Sequence, residues 1–178
     1  MKGKKVNEWA KIIHEYAKAH GWWDKERSDG EILALCHSEL SEALEEYRNG
    51  KPMLYYVDDK PEGIAVELAD CVIRILDYLG YKEQEFDGRV AEYISGNCED
   101  FGTFISEMHS MLSATIETYY NYRRGVLEMT IKSAYCTSRI IYDIHNHLKA
   151  NNIDLWEIVR IKHEYNVTRP YRHGGKVI

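Results

Sequence analysis

Proline is scarce in this 178-residue chain, occurring only at Pro52, Pro61 and Pro170. Long stretches are thereby free to be helical, because proline removes a backbone donor and clashes with the preceding turn. No apolar run approaches the roughly 20 residues that a membrane span requires. The Lys-rich start Met1–Lys5 leads into an amphipathic pattern rather than a signal-peptide core. The expectation is a cytoplasmic protein that engages no membrane. Basic excess is lacking too. A formal net charge of −6 argues against a sequence-independent nucleic-acid binder, and a polyanionic ligand would need a cation between it and the chain's own acids. Cys36, Cys71, Cys98 and Cys136 are scattered, with no C-x-x-C pair, as expected of reduced core thiols.

What is present is helical periodicity. Apolar residues recur at 3.6-residue spacing between the glycine and proline punctuation, which predicts an all-α chain with helices near 5–19, 31–48, 63–79, 84–94, 101–122, 126–149 and 154–165. Ser28 or Asp29 caps the second helix, Gly50–Lys51–Pro52 ends it, and Gly80 closes the third. The loop 49–62 carries Met53–Leu54–Tyr55–Tyr56–Val57, apolar enough to pack on the body or form a lid. The length fits one domain, 1–178.

The chain also resembles itself. His37-Ser-Glu-Leu-Ser-Glu-Ala-Leu-Glu-Glu-Tyr47 aligns with His109-Ser-Met-Leu-Ser-Ala-Thr-Ile-Glu-Thr-Tyr119, and Ala69-Asp-Cys-Val-Ile-Arg-Ile-Leu-Asp77 with Ala134-Tyr-Cys-Thr-Ser-Arg-Ile-Ile-Tyr142. Two matches in the same order point to a tandem duplication: repeat one over 1–96 and a degenerate repeat two over 97–178. Glu39, Glu42, Glu67 and Asp70 become Met111, Ala114, Lys132 and Tyr135. Four acids vanish as a set, as expected of groups that act together in one place only.

Their spacing explains how they could act together. Glu39 and Glu42 are three residues apart on one helix, and Glu67 and Asp70 repeat that spacing on the next. On a wheel of 64–79 apolar residues cover nearly the whole circumference, leaving a polar stripe about 80° wide with Glu67, Asp70, Arg74 and Asp77. A helix that apolar is buried, so its acids need a partner. Like charges this close are costly unless protonated or neutralised. A hard divalent cation such as Mg²⁺, with oxygen ligands from the protein and from phosphates, resolves the conflict. A di-iron carboxylate bundle would need Glu-x-x-His pairs, and none occurs. His145 and His147, two apart on a helix, point away from one another and read as packing or surface groups.

Glu39-x-x-Glu42 followed by Glu67-x-x-Asp70 resembles the E-x-x-E … E-x-x-D signature of MazG-like pyrophosphohydrolases, in the all-α NTP pyrophosphatase superfamily that also holds the dimeric dUTPases. The flanks Ala17-Lys-Ala-His-Gly-Trp-Trp-Asp24 and Lys162-His-Glu-Tyr-Asn-Val-Thr-Arg-Pro-Tyr-Arg-His-Gly-Gly-Lys176 are similar to the two ends of such proteins. The resemblance covers most of the chain except about 97–150. There the degenerate copy intervenes, and Phe86–Tyr93 lacks the Lys…Asn…Arg pattern of the tail.

This resemblance implies a MazG-like helical bundle, here folded as a single-chain pseudo-dimer with one complete site. It implies hydrolysis of a nucleoside triphosphate, NTP or dNTP, to the monophosphate and pyrophosphate, in nucleotide-pool housekeeping. Glu39, Glu42, Glu67 and Asp70 would hold Mg²⁺, or Mn²⁺ in its place. Either Glu39 or Glu42 would orient or deprotonate the attacking water. Lys162, Asn166 and Arg169, spaced by four and three residues, would line up on the phosphates, with Lys176 adding charge from the tail. By their aromatic surface, Trp22 or Trp23 would stack on the base, or else pack structurally. The partner is then a small nucleotide rather than nucleic acid, with a homodimer left open. The alternative is a non-catalytic nucleotide-binding or regulatory module of the same fold.

Overall fold

The computed structural model describes residues 3–88, 100–124 and 130–175. Within them lie α1 (Gly3–Ala19), α2 (Asp29–Arg48), a hairpin of β1 (Tyr55–Val57) and β2 (Lys60–Glu62), α3 (Ile64–Tyr81), α4 (Phe101–Arg123), α5 (Thr130–Ala150), α6 (Leu155–Val167) and a short turn, α7 (Arg172–Gly175). The protein is predominantly helical, and none of the described helices is long and apolar enough to cross a membrane.

The α3 helix is the axis of the packing. Its apolar faces, including Ala65, Leu68, Val72, Ile75 and Leu79, are buried all round, and α1, α2, α5 and α6 all pack against it. Gly80 does not end this helix, which continues to Tyr81. A Cβ at Gly80 would come 2.5 Å from His14 Cβ and 2.8 Å from the Ala10 carbonyl oxygen, so the glycine lets α1 approach closely. The capping of α2 falls to Ser28. Its Oγ accepts from Glu31 N at 3.1 Å, while Glu31 Oε2 accepts from Ser28 N at 2.9 Å, a reciprocal capping box.

Two segments depart from the expectation. The loop 49–62 contains the antiparallel hairpin, with Tyr55 opposite Glu62 and Val57 opposite Lys60. Asp58 and Asp59 turn it at φ 47° and 64°, the left-handed pair that a two-residue hairpin turn requires. The helix expected over 84–94 is absent from its first residues. Phe86 N donates to Asn7 Oδ1 at 2.9 Å and Asp87 N to Ser138 Oγ at 2.8 Å. These amides thus bond to side chains of α1 and α5 instead of to their own preceding turn. The remainder of that segment, the boundary proposed between the repeats near 96, and Cys98 lie outside the described residues. Cys36, Cys71 and Cys136 are buried and unbridged.

Residues matched by the internal resemblance meet in space. The 72-residue shift that aligns His37 with His109 carries Asp29, the first residue of α2, onto Phe101, the first of α4. It also carries the cap Ser28 onto Asp100, whose Oδ1 accepts from Thr103 N at 2.8 Å. Where α2 packs on α4, His37 and His109 face each other with Nδ1 atoms 2.7 Å apart and ring planes within 5°.

Candidate functional site

A cleft of about 280 Å³ opens beside the polar stripe of α3. That stripe forms its floor with Glu67, Asp70, Arg74 and Asp77, and α2 supplies Leu35, Ser38, Glu39 and Glu42. Ile13, Tyr16 and Ala17 enter from α1, Trp22 and Arg27 from the α1–α2 loop, and Lys60 from the hairpin. The far wall is Lys162 and Asn166 of α6, with Arg169 and His173 beyond its end.

Three of the four expected acids converge. One carboxylate oxygen from each of Glu39, Glu67 and Asp70 lies within 4.8 Å of the other two. Glu39 is 6% exposed and Glu67 7%. Glu42 stands at the exposed rim, where its Oε1 accepts from Ser38 Oγ at 2.9 Å. Burial, reinforced by the Asp70 charge, pushes Glu67 up to about 8. Burial also raises Glu39, against the pull of Arg74.

Two cations answer these acids. Arg74 places Nε and Nη2 each 2.6 Å from Glu39 Oε1. Lys162, 5% exposed, sets Nζ 2.7 Å from Asp70 Oδ2. Burial works to lower the pKa of Lys162, but the Asp70 and Glu67 charges outweigh it and hold the ammonium above its usual value.

The donor set fits a hard cation. Arg74 and Lys162 each pair with one carboxylate oxygen, and one oxygen from each of Glu39, Glu67 and Asp70 lies close to the other two. At a Mg–O length of about 2.1 Å, opposite ligands stand about 4.2 Å apart, so small side-chain shifts would close the cluster on an ion.

The remaining expected residues divide. Lys162, Asn166 and Arg169 share the cleft wall, as their spacing predicts. The turn that carries Arg169 is tied back to the α1–α2 loop. Arg172 Nε donates to the Gly21 carbonyl at 2.9 Å and Tyr171 OH to Asp24 Oδ2 at 2.5 Å. Gly21, at φ 79°, leaves no room for a Cβ because the Tyr171 ring occupies the space. Trp22 lines the cleft with its ring edge-to-face on His173, centroids 5.0 Å apart. Trp23 turns elsewhere: it stacks on Tyr81 at 4.3 Å, and its Nε1 donates to Asp77 Oδ1 at 3.0 Å. Its function as a base-stacking group is not supported by that placement. Lys176 lies outside the described residues. His147 stacks on Phe104 at 4.3 Å, a packing role as expected.

Sequence reasoning gave no role to Tyr16, Arg27, Lys60 or Arg74. Only Arg74 carried a signal, through its place on the polar stripe. Tyr16 supports the wall by donating from its hydroxyl to the Asn166 carbonyl at 2.5 Å.

The internally similar segment lacks the acids and pairs its arginine differently. Arg139 is the counterpart of Arg74, and Met111 stands where its partner Glu39 would be. Arg139 Nε instead donates to Asp143 Oδ2, one turn along its own helix, at 2.6 Å. Among the described residues, Glu39, Glu67 and Asp70 are the group of acids, histidines or cysteines close enough to share an ion.

Comparison with protein-family models, with curated proteins and with solved structures finds no match to this chain.

Proposed function

We propose that this chain is a Mg²⁺-dependent nucleotide pyrophosphohydrolase of the MazG-like type, cleaving a nucleoside triphosphate to the monophosphate and pyrophosphate. The observation that carries the reading is the meeting of Glu39, Glu67 and Asp70 in one cleft with the basic wall of Lys162 and Arg169. Acids alone would repel a triphosphate and cations alone would not assemble a metal site; the cleft holds both.

In this reading Glu39, Glu67 and Asp70, joined by Glu42 from the rim, hold the ion. The bound ion would offset phosphate charge and acidify a water at neutral pH. Lys162 and Arg169 grip the phosphate oxygens, Arg169 with a planar fork and Lys162 as a point charge. Glu42, exposed and beside the cluster, is placed to accept a proton from the attacking water. Water adds to the α-phosphorus, the bridging oxygen leaves with pyrophosphate, and the proton passes to the carboxylate and on to solvent.

The pseudo-dimer belongs to the same proposal. It is supported by the equivalent starts of α2 and α4 and by the His37–His109 contact, since a two-fold relation brings equivalent residues together on its axis. The loss of all four acids from repeat two leaves one site per chain.

A second reading, a nucleotide-binding module without catalysis, is favoured by one feature: Arg74 and Lys162 already neutralise two of the acids without a metal. Pyrophosphate release from a panel of NTPs and dNTPs, with and without Mg²⁺, separates the two. Mg²⁺-dependent release that disappears in Asp70→Ala and Glu42→Ala but persists in Met111→Ala supports the enzyme. Tight nucleotide binding with no release supports the module, and full activity in Asp70→Ala overturns the metal assignment.

A further inference from the structure

The ends of the cleft are built from different groups. Glu39, Glu67 and Asp70 form one end. Asp77 lies seven residues beyond Asp70 on α3, about 10 Å away at 1.5 Å per residue. Trp23 Nε1 donates to Asp77 Oδ1 at 3.0 Å, and the Arg27 guanidinium lies 5.9 Å from the centre of the Trp23 ring. Arg27, which also lines the cleft, therefore stands toward its Asp77 end.

The Nε and Nη2 of Arg27 are both buried, and neither meets a hydrogen-bond partner among the described residues. These two nitrogens are the side edge of the guanidinium, a pair of parallel N–H donors shaped to grip two adjacent acceptors. An unmade buried donor costs free energy, and unsatisfied groups of this kind call for an explanation. The group is held in place rather than loose. Its guanidinium lies 5.9 Å from the centre of the Trp23 ring, and Trp23 is pinned by its bond to Asp77.

We propose that Arg27 selects the nucleobase, favouring one that presents two neighbouring acceptors on a single edge. Guanine does so through O6 and N7, and cytosine through O2 and N3. Adenine carries a donor next to both N7 and N1, and uracil and thymine place N3–H between their carbonyls, so none of these fills the fork. This inference rests on the nucleotide reading of the site.

The test measures kcat/KM for the four common nucleoside triphosphates, in ribo and deoxy forms, with the wild-type chain, Arg27→Lys and Arg27→Gln. Arg27→Lys keeps the charge and removes the fork. Wild type should favour guanine or cytosine substrates, and both variants should lower that preference by about ten- to a hundredfold. The ratio of kcat/KM for guanine or cytosine substrates over adenine or uracil substrates should fall in both variants, whereas a merely structural role for Arg27 would lower all substrates together and leave that ratio unmoved. The 7-deazaguanine analogue asks the same without a mutation. It lacks N7, so it should lose the preference if guanine is the base read and keep it if cytosine is.

Equal rates on all bases, or a preference unmoved by Arg27→Lys, would overturn the base site while leaving the hydrolase reading intact. If no nucleotide is hydrolysed, calorimetric titration with nucleoside monophosphates takes over. Binding with an Arg27-dependent base preference then sustains the base site and sinks the hydrolase, and absence of binding sinks both.

Discussion

Substituting Glu67 by Gln should make the metal-free protein more stable and at the same time remove its response to Mg²⁺. Glu67 sits beside Asp70 and Glu39, and burial with the Asp70 charge lifts its pKa from 4.5 to about 8. A carboxyl raised in the folded state keeps its proton where the unfolded chain has released it. Stability therefore falls as pH rises from about 4.5, and the full penalty is in force above about 8. At 1.36 kcal/mol for each pH unit the rise corresponds to about 5 kcal/mol, a ceiling on the cost of that charge. Gln keeps the shape and removes the charge. Its amide leaves new donors to be satisfied and weakens the hold on Lys162, so the net gain expected is about 1–3 kcal/mol. Urea unfolding in EDTA at pH 8.5 should show that gain, while at pH 4 wild type and variant should nearly coincide. Adding Mg²⁺ at about a hundred times its Kd should stabilise wild type by about 2.7 kcal/mol and leave the variant unmoved. A variant less stable than wild type in EDTA at pH 8.5, or equally stabilised by Mg²⁺, would refute the reasoning.

Lys162→Met removes the cation from Asp70 and should destabilise the metal-free protein by about 3 kcal/mol. Millimolar Mg²⁺ should restore much of the loss in thermal melts, because the ion supplies the missing positive charge. Gly80→Ala forces a methyl against His14 and the Ala10 carbonyl; unfolding should show a loss of about 1–3 kcal/mol, with Mg²⁺ binding unchanged. His37 and His109 both have pKa values lowered by burial, His37 further by His109. The unfolded chain then takes up protons that the native pair refuses, so stability should fall as pH drops below about 6.5. His109→Gln should flatten that decline in denaturation series run between pH 7 and pH 5.

How far the site could be read from the chain differs residue by residue. The burial of α3 and its polar stripe follow from periodicity alone, and so does the pairing of Glu67 with Asp70. That Lys162 of α6 would reach Asp70 is a long-range event that no local pattern carries. Trp22 and Trp23 are adjacent and alike, yet one lines the cleft and the other donates to Asp77. Only the path of the α1–α2 loop separates them. The hairpin escaped notice because its strands have three residues each, Pro61 lies within one of them, and its Asp58–Asp59 turn lacks the glycine that usually signals such a turn. Arg27 gave no signal, because nothing in a sequence says which arginine will keep two buried donors unbonded.

On the proposed duplication, the acids are tied to their supporting charges. Arg74 and Arg139 hold aligned positions; Arg74 pairs with Glu39 on α2, and Arg139 pairs with Asp143 on its own helix. On that reading, where Met111 stands in place of the acid, a guanidinium in the position of Arg74 would lose its partner. Asp143, at the position equivalent to Tyr78, takes it up within α5. Arg139 is partly exposed, and its pairing with Asp143 would relieve the loss of a facing acid. If so, Met111→Glu by itself should not rebuild a metal site, since Arg139 is committed to Asp143 and Lys132 and Tyr135 offer no carboxylate. Met111→Glu together with Lys132→Glu and Tyr135→Asp should create a second Mg²⁺-binding step by calorimetry. That step should strengthen when Asp143→Tyr frees Arg139 to pair with the new glutamate. A second step in the Met111→Glu single variant would show instead that the acids of repeat two were lost one by one, with no dependence on their supporting cations.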